Sequence, residues 1–438
     1  TMVWLRNHGI RFIPMFGRQS FMVDGKHHFY GGVNIEAVGG GSGLVEAEIR
    51  RALQIGCEIR YDTAATRLIQ DKNKKITGLE ISSPDGIETI NARSIVLACG
   101  GFESNPEMRA RYLGPGWDLA RVRGTKHNMG DGIKMAIDIG ARAYGNWSGC
   151  HSVGWDISAP EYGDYEVLDN FQKHSYPWGI MVNKDGNRFV DEGEDLRNHT
   201  YVKFGREIMK QPNRTAIQIF DQKTIPLLRD EYRIRQVTKV SGNSIAELAQ
   251  ELEINVSALT KTIDEFNAAC KPGNFNPSIL DGVATTGLNP NKTNWALPID
   301  EPPFEAFITT TGVTFTFGGL KVDEKGSVLD NNDRSIGGLF AAGELVGGLF
   351  YENYPRYHNQ RTFDAVDEYY KVAEKYKISL SQLSLAFVNS RDFVTSNIIG
   401  ATNLNQLGEN INSINKSLST EILSLIEKVH SKYPDPAP

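Results

Sequence analysis

The run Ser94-Ile-Val-Leu-Ala-Cys-Gly-Gly101 restricts this chain to a short list of folds. An apolar stretch of this length reads as a strand buried on both faces, the pattern of a parallel sheet covered by helices. Its two closing glycines carry no Cβ, so backbone there can approach another backbone or a ligand closely. Ligands of open α/β sheets sit at such strand ends. With 438 residues, 40% of them hydrophobic, the chain can bury two or three cores around that sheet.

The sequence before this strand supplies a helix and a meander. A short helix is expected at Met2 to Asn7, with no residue before it to cap it, which suggests a truncated start. Residues 42 to 55 begin with a Ser cap and set Leu44, Ala47, Ile49 and Leu53 along one stripe, so an amphipathic helix is expected. Short strands are expected at Cys57 to Tyr61, Ala64 to Ile69, Ile76 to Ile81 and Ile87 to Ile90, joined by turns at Asp71-Lys-Asn-Lys-Lys75 and Pro84-Asp-Gly86. From about Ala143 the texture shifts to aromatic-rich loops, a strand at Gly179 to Asn183, and polar helices at Ile245 to Leu252 and Val256 to Ala269. Strands and Gly-rich loops return at Pro298 to Tyr354. The expected organisation is a discontinuous first domain, residues 1–142 and 295–355, interrupted by a capping domain at 143–294.

Charge and cysteine usage narrow the partners. A net charge of -6 gives no basic surface for nucleic acid or anionic lipid, and no apolar run reaches the roughly 20 residues of a membrane span. Cys57, Cys99, Cys150 and Cys270 form no CxxC pair and sit beside apolar runs as small core residues do, which fits a reducing, cytoplasmic setting. No metal-ligand spacing is present.

Four segments in order carry a resemblance. They are Ser94-Ile-Val-Leu-Ala-Cys-Gly-Gly-Phe102, Asn128-Met-Gly-Asp-Gly132 heading a helix, Asn187-Arg-Phe-Val-Asp-Glu192, and Gly337-Gly-Leu-Phe-Ala-Ala-Gly-Glu-Leu-Val-Gly-Gly348. Together they resemble the fumarate reductase and succinate dehydrogenase flavoprotein family over residues 2–355, and Trp4-Leu-Arg-Asn-His-Gly, Cys150-His151 and Asn294-Trp-Ala-Leu-Pro-Ile-Asp300 resemble its tricarballylate dehydrogenase branch. The resemblance implies an α/β fold, with an incomplete FAD-binding Rossmann-like domain and an inserted α+β capping domain. It implies FAD as cofactor, with Gly100, Gly101, Gly343 and a Gly318-Gly319 turn lying against it and Glu344 holding ribityl hydroxyls. It also implies His151 as a clamp on a substrate carboxylate and Arg197 as the catalytic proton donor, with His174 and Arg188 as nearby polar candidates. A lone His is often a hydrogen-bonded core residue, and Arg197 could instead pair with Asp195 or Glu194.

Two positions depart from the family. Thr314-Phe-Thr-Phe317 stands where fumarate reductases have a second substrate His, and Tyr354 where they have a clamping Arg, so a small polycarboxylate such as tricarballylate is expected ahead of fumarate. The G-x-G-x-x-G unit that cradles a pyrophosphate is missing, and Gly39-Gly-Gly-Ser-Gly43 reads as a plain Gly-rich loop. The electron donor or acceptor is left open.

From Arg356 the sequence changes. Ser379 to Arg391, Thr395-Ser-Asn-Ile-Ile-Gly-Ala-Thr402 and Asn405-Gln-Leu-Gly-Glu-Asn410 resemble the last strand and helices of an aldo/keto reductase, a TIM-barrel enzyme, over residues 356–438. That resemblance maps NADP contacts to Gly400, Thr402, Gln406 and Asn410. One strand cannot close a barrel, and the preferred reading of these residues is capping and surface positions of a helical segment. Two alternatives to the flavoenzyme remain: an NADPH-dependent aldo/keto reductase fragment, and a non-catalytic chimeric fragment with exposed apolar faces.

Overall fold

The computed structural model describes residues 2–23, 25–29, 34–351, 360–391, 394, 397, 399–401 and 403–433. The chain divides into two compact units, Thr1–Asn353 and Tyr354–Pro438.

In the first unit the long strand Phe304–Leu320 organises everything else. It pairs antiparallel with Ala143–Asp156 on one side and Ala216–Phe220 on the other, and Ile180–Asn183 extends the sheet beyond Ala216–Phe220. Its β-branched and aromatic residues suit a central strand, and 17 residues are enough to run through both expected domains. Residues 295–355 are therefore not separable from 143–294 at this sheet. Helices Ile245–Glu251 and Val256–Ala269 cover it, setting Leu248, Leu259, Ile263 and Phe266 against Ile180, Val182, Ile217 and Ile219. Each such fully buried side chain stabilises the fold by about 1.5–3 kcal/mol. Both helices start where their sequence says they should, the side chains of Ser244 and Asn255 accepting from the Glu247 and Ala258 amides.

A second sheet has the order Ser327–Leu329, Ser335–Ala341, Ile95–Leu97, and its last pair is parallel. The expected meander forms as Ala64–Gln70, Ile76–Ser83 and Gly86–Asn91. The Asp71 carboxylate holds the first turn, accepting from the Asn73 and Lys75 amides at 2.8 and 3.0 Å.

Several sequence expectations need correction. The strand Ile95–Leu97 is an edge strand among the described residues, and Val96 is 62% exposed, so only one of its faces is buried. Gly318 and Gly319 are no turn: they close the strand Phe304–Leu320 and pair with Gly145 and Tyr144. Gly40 to Gly43 form the first turn of the helix Gly40–Gln54 rather than a loop, and that helix buries none of its residues. Cys57 to Tyr61 forms no strand. All four cysteines are free thiols, but Cys57 and Cys99 are exposed, unlike the core residues expected.

The second unit consists, among its described residues, of helices Gln360–Lys375, Leu380–Asn389, Leu404–Asn412 and Thr420–Lys432. Val372, Leu383, Ile422, Ile426 and Val429 form its core, and Ser379, Asn403 and Ser419 cap three of the helices. Ile399 and Gly400 carry no strand, so the expected last barrel strand is not seen there. Thr402, Tyr354 and the boundary at 355/356 lie outside the described residues. No helix among the described residues is long and apolar enough to cross a membrane.

Candidate active site

Two groups of side chains meet along the strand Phe304–Leu320. The first lies at the end of Ile95–Leu97, where Gly100 adopts φ +73° and turns the chain toward Glu344. A Cβ on Gly101 would sit 2.2 Å from both Glu344 Oε1 and Thr316 Oγ1, so only glycine admits this approach. Glu344 Oε1 accepts from the Thr316 amide at 2.8 Å. Glu103 stands beside it, 2% exposed, accepting from the Asn128 side-chain amide. Burial and then the neighbouring Glu344 push the Glu103 carboxyl up to about 9, and burial also raises Glu344.

The second group surrounds His151. A β-bulge sets both His151 opposite Phe315 and Ser152 opposite Val313, which leaves Thr314 as the extra residue. Bulges re-aim side chains beside sites, and here Thr314 Oγ1 reaches His151 Nδ1 at 2.7 Å. His151 Nε2 meets the Tyr201 hydroxyl at 3.0 Å, and its ring stacks on Phe315. Burial and then Arg123 push its pKa down to about 3, so the ring is neutral near neutral pH.

Arg197 opens the helix Arg197–Met209, one turn before Tyr201, and its guanidinium lies over the Tyr201 ring at 5.5 Å. Its Nη1 lies 3.3 Å from His174 Nδ1. Burial and then Arg229 bring its pKa down to about 9. A cation at the positive end of a helix is disfavoured further. Of the two acids near it in sequence, Glu194 is held by Lys203 and Asp195 by His199. Arg188 is bound to Glu192 in a buried ion pair.

Arg123 links this cluster to a cavity of about 1030 Å³. Its Nη1 donates to Thr314 Oγ1 at 2.6 Å and its Nη2 to Asp169 at 2.5 Å, with the guanidinium over Trp155. The cavity wall also includes Lys126, His127 and Gly39 to Ser42 at the head of the helix Gly40–Gln54.

The structure thus brings Gly100, Gly101 and Glu344 together, and His151 with Arg197 through Tyr201. Gly318 lies against Trp147 and Gly319 against the Leu345 backbone, packing roles that keep the strand flush with the segment 345–347, and Gly343 adopts φ +74°. Sequence reasoning missed Glu103, Thr316, Tyr201, Arg123 and Arg229. Of these only Tyr201 carried a local signal, its four-residue spacing from Arg197 on one helix face. In the second unit the Asn410 side chain donates to the Gly400 carbonyl at 2.9 Å, and the Gln406 amide donates to Asn403.

The donor set at Glu344 suits a flavin dinucleotide. A buried carboxylate at a Gly-Gly strand end can accept from ribityl hydroxyls, and Glu103 Oε2 meets no hydrogen-bond partner in the protein.

Residues 4–356 match the FAD binding domain family, and residues 321–431 match the aldo/keto reductase family. The chain belongs to the FAD-binding flavoproteins of the fumarate reductase and succinate dehydrogenase type. FAD is the cofactor of that family. A probable fumarate reductase, Ifc3, of Shewanella frigidimarina (strain NCIMB 400) is 28% identical over 351 residues, 79% of this chain and 54% of that protein. Vinyl phenol reductase of Lactiplantibacillus plantarum (strain ATCC BAA-793 / NCIMB 8826 / WCFS1) is 27% identical, over 81% of this chain and 73% of its own length. The open conformation of a flavocytochrome c3 fumarate reductase shares the fold with a TM-score of 0.59 at 24% identity, covering 80% of this chain and 57% of that one. The chain spans about half the length of the Shewanella relative.

Proposed function

We propose that this chain is an FAD-dependent oxidoreductase that reduces or dehydrogenates a small carboxylate, with tricarballylate-like polycarboxylates ahead of fumarate. The observation that carries the reading is the juxtaposition of Arg197, Tyr201 and His151 with the Gly101–Glu344 cradle, through Thr314 and Thr316 of one strand. Bound FAD would supply hydride exchange with substrate carbon. Gly100, Gly101 and Glu344 would hold it, Glu344 accepting from hydroxyls.

The remaining chemistry belongs to the side chains. Arg197 holds the proton at its guanidinium, and desolvation makes that proton easier to release than in water. His151 is neutral, and its ring nitrogens orient Thr314 and the Tyr201 hydroxyl; charge assistance toward a carboxylate comes from arginine instead. Arg123 and Lys126 are the cations of a cavity wall that also carries Glu36, Glu46, Asp164 and Asp169, and Thr314 in place of a second substrate His favours a longer acid over fumarate.

The test is an assay of the chain supplied with FAD. Reduction of unsaturated carboxylates is followed with a reduced dye as donor, and dehydrogenation of tricarballylate with an oxidised dye as acceptor, alongside NADPH-dependent carbonyl reduction. Dye-linked turnover of a carboxylate is expected. Carbonyl reduction with NADPH and no dye-linked turnover would replace this reading by the aldo/keto reductase one.

A further inference from the structure

The hydrogen bonds around His151 run in one direction, and Arg123 sets it. A guanidinium can only donate, so Arg123 Nη1 takes a lone pair of Thr314 Oγ1 at 2.6 Å. The other hydrogen-bond contact of that hydroxyl among the described residues is His151 Nδ1, at 2.7 Å. If Nδ1 carried a hydrogen, both partners would donate to Thr314, and the hydroxyl's own hydrogen would meet no protein acceptor there. Nδ1 therefore accepts from Thr314, and the hydrogen of the neutral ring sits on Nε2. Nε2 donates to Tyr201 Oη at 3.0 Å, which leaves the Tyr201 hydroxyl hydrogen pointing away from His151.

Each member of this chain is held from a second side. Arg123 Nη2 and Nε both donate to Asp169 Oδ1, at 2.5 and 3.1 Å, and the guanidinium lies 5.1 Å over the Trp155 ring. The His151 ring is 4% exposed and stacks on Phe315, with centroids 5.0 Å apart and planes at 16°. The bulge that makes Thr314 the extra residue lets its hydroxyl reach both Arg123 and His151. Tyr201 is half-buried and carries the Arg197 guanidinium over its ring at 5.5 Å, so its hydroxyl stands beside the group assigned the proton. In the opposite direction Tyr201 would donate to Nε2 and face a ligand as an acceptor only.

We propose that Arg123 is a positioning residue that fixes His151 as its Nε2–H tautomer, and that Tyr201 thereby presents a hydroxyl hydrogen to an oxygen acceptor of the substrate, a carboxylate or carbonyl oxygen rather than an ammonium group. The first half stands on the hydrogen bonds alone; the second half rests on the carboxylate reading proposed above.

The first measurement is a nitrogen NMR spectrum of the chain without cofactor, its nine histidines labelled in the ring, with the His151 signals identified as those missing from His151→Gln. A bare Nδ1 and a hydrogen on Nε2 are expected in the parent and in Thr314→Ser, and a mixture of both tautomers in Arg123→Met and in Thr314→Val. Met keeps the apolar stem on Trp155 while removing the donor. A hydrogen on Nδ1 in the parent, or an unmixed Nε2–H ring in both Arg123→Met and Thr314→Val, would overturn the positioning role.

Dye-linked turnover of a carboxylate by the FAD-supplied chain is the second readout. Tyr201→Phe is expected to raise KM about ten- to a hundredfold with kcat near that of the parent, the loss of one hydrogen bond to a charged group. Arg123→Met is expected to raise KM as well, and to add nothing to Tyr201→Phe in the double variant. Additive losses would show Arg123 meeting the substrate directly and overturn its action through Tyr201; an unchanged KM in Tyr201→Phe would overturn the donor. A parent chain that turns over no carboxylate would sink the carboxylate reading and the donor with it, while the NMR spectrum still decides the tautomer.

Discussion

Replacing Arg197 with Met will lower dye-linked turnover of the FAD-supplied chain by about 10²- to 10⁴-fold, the range for loss of a positioned proton donor. FAD affinity will stay near that of the parent, because the Gly101–Glu344 cradle lies on other elements. Met keeps the apolar stem packed on Tyr201 and removes only the guanidinium. A loss of FAD binding equal to the loss of rate would show that Arg197 holds the fold of the site rather than the proton. Arg197→Lys is expected to recover little, since a desolvated lysine beside Arg229 and at a helix start gives up its charge more readily than arginine does.

Gly205→Ala will have a large structural effect close to the site. The helix Arg197–Met209 packs on Ala143–Asp156 through this residue, and a Cβ there would lie 2.4 Å from the Ser152 carbonyl carbon and 2.5 Å from the Val153 nitrogen. Both are backbone atoms of a central sheet, so the helix must move. The Thr311 hydroxyl, which donates to the Gly205 carbonyl at 2.7 Å, moves out of register with it. Overpacking of this kind costs about 1–3 kcal/mol, read as a lower urea midpoint at unchanged slope. Because Tyr201 and Arg197 ride on the same helix, turnover will fall with stability, whereas a surface glycine such as Gly408, with open space around it, will tolerate alanine. Unchanged stability in Gly205→Ala would contradict the close helix-to-sheet contact.

What the sequence disclosed and what it hid follow one physical division. Local patterns were legible: helix Val256–Ala269, the meander at 64–91, and the strand closing on Gly100 and Gly101 all arise from periodicity and turn chemistry within a few residues. Environments were not. Whether Val96 faces a partner depends on which elements cover the sheet, and a run of apolar residues says nothing about that. The family resemblance implied a turn at Gly318 and Gly319, but here they let the Leu345 backbone lie against a continuing strand. Glu103 had no signature at all, since its meaning lies in Glu344, 241 positions later in the chain. His151 was visible as a residue but its charge state was not, since that depends on burial and on Arg123, which lower its pKa to about 3.

The central claim is that the groups at Gly100, Gly101 and Glu344 constitute a flavin site. It is tested most directly by titrating the purified chain with FAD while following quenching of flavin fluorescence and the change in its absorbance. Saturable, stoichiometric binding that is weakened by Glu344→Ala is the predicted result. Absence of binding, or binding indifferent to Glu344, would contradict it.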